Sequence, residues 1–202
     1  MGMLLFTYTC ILLLQVFTVG GAIARSRTFM VWTSAFHLGI TVSFFWTLIV
    51  NALILFQFVE DGTRHTTQFI VGTSIAWIVG VTFMSLDLAM DYTKHHDGQS
   101  PGLYFLTLVF PAAAVLIYVF LVSLLVFRKL EEYKPLVYIA LALVMFSVSQ
   151  LILFDASNTI AKRTSGRVNG SIFAIFFDLV SVTLLYKFWN AITDDTWGDC
   201  IF

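Results

Sequence analysis

Six long apolar runs separated by short polar breaks set the pattern of the chain. They occupy about residues 3–23, 29–58, 69–88, 103–127, 136–154 and 172–189. At a rise of 1.5 Å per residue, a run of about 20 apolar residues crosses the ~30 Å hydrocarbon core of a bilayer as a helix. The second run would measure about 45 Å if wholly helical, so it tilts or projects from the bilayer. The pattern predicts an all-α, polytopic membrane helix bundle with six transmembrane helices. The longest polar break, Asp155 to Ser171, is too short for a separate soluble domain, so residues 1–202 read as one transmembrane domain.

The break after the second run is the most informative. The sequence from Leu48 is lipid-grade through Phe56, interrupted by the amides Asn51 and Gln57, and stops at Glu60-Asp61-Gly62. Two acids and a glycine at the end of an apolar helix mark its exit into water, where glycine tolerates positive φ. Asn51 and Gln57 would each cost a few kcal/mol against lipid, so both are expected to face other helices or a partner. Loss of either should weaken the fold by about 1 kcal/mol.

Other positions stand out against the apolar background. Gly72, Ala76 and Gly80 fall four apart and form a smooth stripe, which suits close approach of two helices within the bundle. Pro111 removes a backbone N–H and is expected to kink the fourth helix near its start. Ser147, Ser149 and Gln150 are expected packing contacts in the fifth. Trp32 and Trp46 suit the interfacial regions of the second, His37 lies inside it, and Asp87 and Asp91 close the third at the water boundary. Asp178 lies about 10 Å along the sixth run. A carboxyl at that depth is either a functional acid or a protonated or amide-paired group between helices.

Composition agrees with the pattern. Hydrophobic residues make up 59% of the 202 and charged residues only 11%, against about 25% in soluble domains. The net charge of −1 gives no nucleic-acid footprint. The 21 Phe, 5 Trp and 7 Tyr suit aromatic belts at the two interfaces. Cys10 and Cys200 are too far apart in depth to pair; Cys200 reads as a free thiol, with palmitoylation the alternative. A signal peptide cleaved near Ala22-Ile23-Ala24 is a rival reading of the first run, opposed by the lack of a basic segment before it. Basic residues do not orient the chain: Arg64, Arg128, Lys129, Lys134 and Lys187 would lie on one side, and Arg25, Arg27, Lys94, Lys162, Arg163 and Arg167 on the other.

Catalytic chemistry finds little to work with. His95-His96-Asp97 could attract zinc, but adjacent side chains diverge and no second cluster completes a ligand set, so no metal site is expected. Paired haem ligands, a phosphate-binding glycine loop and a serine nucleophile motif are also missing, so neither cofactor nor enzyme activity is expected. The sequon Asn169-Gly170-Ser171 sits at the foot of a helix, where glycosylation is disfavoured. Two classes remain: a helper that binds another membrane protein, and a small multi-pass transporter or channel. A transporter often shows internal repeats, and the two halves show no convincing one.

The polar punctuation resembles one family. Asn51-Ala52-Leu53 through Phe56-Gln57-Phe58, then Glu60-Asp61-Gly62-Thr63, looks like the signature of the fungal chitin synthase export chaperones. Gly102-Leu103-Tyr104, Leu125-Val126-Phe127-Arg128 with Leu130, and Lys134-Pro135-Leu136 occupy matching places. So do Gly170-Ser171-Ile172-Phe173, Phe188-Trp189, Ala191-Ile192-Thr193, Asp195 and Trp197. The series runs from about Leu48 to Trp197, three quarters of the chain. The resemblance implies a non-enzymatic, multi-pass protein of the endoplasmic reticulum membrane, with cytosolic termini for these spans. It implies a chitin synthase as the client that needs this protein to fold and leave that compartment. The plasma membrane, in company with the client, is a second location. Lipids of the bilayer would cover the rest of the bundle surface. Asn51, Gln57, Glu60, Asp61, Gly62, Asp194, Asp195 and Trp197 are the candidate partner-binding or structural residues. Family members resemble seven-span proteins, and this sequence starts at what resembles the second span. Asp178 stands where a neutral residue is expected, so the resemblance gives it no role.

Overall fold

The computed structural model describes residues 1–19, 27–56, 63–90, 101–129, 134–153 and 170–198. All the secondary structure there is helical. The chain forms two compact units, Met1–Leu125 and Val126–Phe202. In order, the helices are α1 (Gly2–Val19), α2 (Arg27–Leu55), α3 (Arg64–Met90), α4 (Pro101–Tyr104), a π-helical segment (Phe105–Val109), α5 (Phe110–Lys129), α6 (Lys134–Leu151) and α7 (Gly170–Gly198). Five stretches are long and apolar enough to cross a membrane: Thr28–Leu55, Arg64–Met90, Pro101–Phe127, Lys134–Leu151 and Gly170–Ile192. Helix α1 is apolar but shorter, about 27 Å at helical rise. The protein is a polytopic helical membrane protein.

In the first unit, α2 packs against α1 on one side and α3 on the other. It is the most enclosed of the five candidate spans. The α1–α2 contact is a seam of Leu4, Thr7, Tyr8 and Ile11 against α2, with the Tyr8 and Phe44 rings 5.8 Å apart. The α2–α3 contact depends on Gly39. A Cβ there would lie 2.6 Å from Thr82 Oγ1 and 2.7 Å from the Ile78 carbonyl oxygen, so only a hydrogen lets α3 come this close. Trp46 Nε1 donates to Thr73 Oγ1 at 3.0 Å, and its ring lies 6.0 Å from that of Trp77, which stacks on Phe110 at 5.4 Å. Trp46 is therefore turned into a helix contact, whereas Trp32 is exposed. Thr63 caps α3, its Oγ1 accepting from Thr66 N at 3.3 Å. Asp87, expected at the water boundary, is instead buried one turn inside the end of α3.

The proline effect takes a specific form. A helical ladder through this region would need a donor at position 111, and Pro111 has none. The chain widens by one residue per turn over Phe105–Val109, and Phe110 N–H reaches back to the Phe105 carbonyl. The missing donor coincides with this wide turn.

In the second unit, α6 and α7 pack as a pair. The face is built of small residues, Ala142 and Ser149 on α6 and Ala174 and Ser181 on α7, all buried.

Candidate functional site

Asn51 is buried near the end of α2, as its cost against lipid requires. Its Nδ2 donates to the Met1 sulfur at 3.7 Å, a weak partner for an amide. Beside it is a cavity of about 160 Å³, lined by Met1, by Gly2 to Leu4 of α1, Thr47 and Ile54 of α2, and Thr67 and Ile70 of α3. The hydroxyls of Thr47 and Thr67 donate to carbonyls of their own neighbourhoods, Phe44 at 2.8 Å and Thr63 at 3.2 Å. The rest of this predicted exit, Gln57, Glu60, Asp61 and Gly62, lies outside the described residues, as do His95-His96-Asp97, Asn169 and Cys200.

The stripe of Gly72, Ala76 and Gly80 does not make the contact expected of it within the chain. All three residues are exposed. A Cβ added at Gly72 or Gly80 would meet nothing within 4 Å. Helix α3 turns its opposite face, with Ser74 and Val81, toward the core. The close approach instead uses Gly39 of α2, which stands alone in sequence and carries no spacing signal. A single glycine in the middle of a 29-residue apolar helix is the hint that was available.

Asp178 lies on the face of α7 that meets α6. It is half-buried, between Ala174 and Ser181 along the helix. Ser149 Oγ donates to the Ala174 carbonyl at 2.9 Å and lies beside the Asp178 carboxyl. The carboxyl oxygen Oδ1 is buried and has no hydrogen-bond partner. Ser181 Oγ donates in the opposite direction, to the Ala142 carbonyl at 2.8 Å. Ser147, by contrast, is exposed and donates to Leu143 of its own helix, so of the two serines proposed as packing contacts only Ser149 crosses. Asp194, Asp195 and Trp197 continue α7 beyond its candidate span, so the acidic tail is helical as far as Gly198.

A transporter would want Asn51, His37 and Asp178 along one polar route. His37 and Asn51 share α2 but are 14 positions apart, about 21 Å. His37 Nε2 is buried and has no hydrogen-bond partner, while Asn51 and Asp178 are held in the separate local contacts just described. Among the described residues no three His, Cys, Asp or Glu are grouped to hold a metal ion.

Comparison with known proteins gives one consistent result. Residues 1–201 match the family described as chitin synthase export chaperone. A chitin synthase export chaperone of Aspergillus clavatus is 34% identical over 152 residues, 73% of this chain and 45% of that protein. The Cryptococcus neoformans protein of that name is 28% identical over 94% of this chain and 53% of its own length, and the Candida albicans one 28% over 87% and 57%. The chain spans about half the length of the curated relatives it matches. No solved structure matches it. With a match extending over almost every residue, and relatives from distant fungi carrying one description, this chain belongs to the chitin synthase export chaperone family.

Proposed function

We propose that this protein is a membrane-embedded chaperone that binds the transmembrane region of a chitin synthase and is required for its folding and export from the endoplasmic reticulum. The observation that carries the reading is the family match along the whole chain, whose relatives are described as chitin synthase export chaperones. The geometry supports it. A chain that is mostly membrane helix has helix faces and short loops with which to bind, and α3 turns Gly72, Ala76 and Gly80 outward with open space beside the glycines. A multi-span client exposes polar groups to lipid until its own helices assemble, and each exposed group is costly. A helper that covers them lowers that cost without catalysis. The Asn51 to Gly62 exit, including Gln57, Glu60 and Asp61, and the tail around Asp194, Asp195 and Trp197 are the proposed polar contacts. The same contacts kept after export would make the protein an auxiliary subunit that accompanies the synthase to the plasma membrane.

Affinity purification from native membranes in mild detergent tests the reading. Stoichiometric recovery of a chitin synthase is the expected outcome. Recovery of the protein alone, with normal synthase export in cells lacking it, overturns it.

A further inference from the structure

The π segment leaves the Leu106 carbonyl without a backbone donor. In an α-helix the Leu106 carbonyl would accept from Phe110 N–H, and in a π-helix from residue 111. Phe110 N–H is bonded to the Phe105 carbonyl, and Pro111 has no N–H. The orphan lies inside the span Pro101–Phe127, about 8 Å from its start. An unsatisfied carbonyl carries its partial negative charge into a medium with few donors and costs several kcal/mol if nothing meets it. Among the described residues of the first unit most of the segment is open, although α2 touches it and Leu106 is itself half-buried: Tyr104 is 63% exposed and Phe105 53%, and Thr107, Leu108 and Val109 are exposed as well. The Thr107 hydroxyl does not reach across to help, since it donates to the Tyr104 carbonyl at 3.2 Å.

We propose that the Leu106 carbonyl, freed by Pro111 on this exposed turn, is a docking point for a transmembrane helix of the client that presents an O–H or N–H donor. The inference rests on the chaperone reading above and names the contact chemistry it would use. The complementary partner is a serine, threonine, asparagine or tryptophan side chain on an apolar helix, because a donor of that kind is equally costly in lipid before the client has assembled. The aromatic rings of Tyr104 and Phe105 flank the turn and would pack against the incoming helix. Such a contact is temporary by construction: once the client's own helices supply an acceptor, its donor is no longer available to Leu106.

Pro111→Ala separates this role from folding. The new N–H can bond the Thr107 carbonyl and lets the segment close into an α-helix, in which Phe110 N–H returns to the Leu106 carbonyl. The expected result is a thermal midpoint in detergent at or above that of the wild type, slower amide exchange over residues 105–110, and synthase recovery in affinity purification reduced about tenfold, the equivalent of one interhelical hydrogen bond. A photo-crosslinker at Leu108, with Pro111 intact, should give adducts with a transmembrane helix of the synthase. Wild-type recovery by Pro111→Ala with the slower exchange, or no synthase adducts from Leu108, overturns the docking point while leaving the chaperone reading in place. Failure of the wild type itself to recover any synthase overturns both.

Discussion

A serine within an apolar helix usually bonds a carbonyl of its own preceding turn, as Ser147 does with Leu143. Ser149 and Ser181 depart from this habit. Each reaches a carbonyl of the facing helix, in opposite directions, and the paired positions are seven apart on both α6 and α7. The two bonds therefore share one antiparallel register. Ser149→Ala and Ser181→Ala should each cost about 0.6–1.7 kcal/mol, the range for interhelical bonds in membranes, read as a lower unfolding midpoint in detergent. An unchanged midpoint for both would make these bonds incidental. Asp178 is expected to behave differently. One of its oxygens is buried without a partner, so the side chain brings a desolvation cost along with its contact to Ser149. Asp178→Leu should leave the midpoint unchanged or raise it. A drop above about 2 kcal/mol would show instead that the acid is needed to hold the pair together.

Among the elements, α2 and α3 show why small residues must be read with the direction they face. The sequence pattern showed where spans lie because water and lipid sort residues by polarity, and the described helices fall within those runs or extend them: α3 begins at Arg64 and α7 continues to Gly198. It showed that Pro111 would disturb the helix ladder, because a missing N–H is a local matter, but not that the disturbance takes the form of a π segment. It did not show which side of α3 packs, since a helix apolar all round has no polar face to orient it. Four-residue spacing marked a smooth surface at Gly72, Ala76 and Gly80, while the face that packs was chosen by Gly39 on the neighbouring helix. The two kinds of glycine predict opposite signs. Gly39→Ala drives a methyl into a backbone carbonyl and should destabilise by about 1–3 kcal/mol. Gly72→Ala and Gly80→Ala meet open space in a helix and should stabilise by about 0.5–1 kcal/mol. Chemical denaturation of the three variants in one detergent checks the contrast.

At the scale of the molecule, the family match extends over nearly all of a chain that is about half as long as its relatives. If the client contacts lie within these spans, expressing the 202-residue chain in a fungal cell deprived of its own family member should restore surface chitin, measured by dye staining. Unchanged staining, with the chain present in the membrane, would locate the needed contacts elsewhere. The family resemblance lies largely in the polar exits, of which Gln57 to Gly62 lie outside the described residues, so the fold was more legible than the candidate site. The aromatic ladder of the first unit has an experimental use. Trp46 and Trp77 sit on different helices with ring centroids 6.0 Å apart and planes inclined at 43°, close enough for their electronic transitions to couple. Coupled indoles of fixed handedness give a paired near-ultraviolet dichroism signal that vanishes when the rings separate. The protein thus contains an unlabelled optical gauge of whether α2 and α3 remain docked.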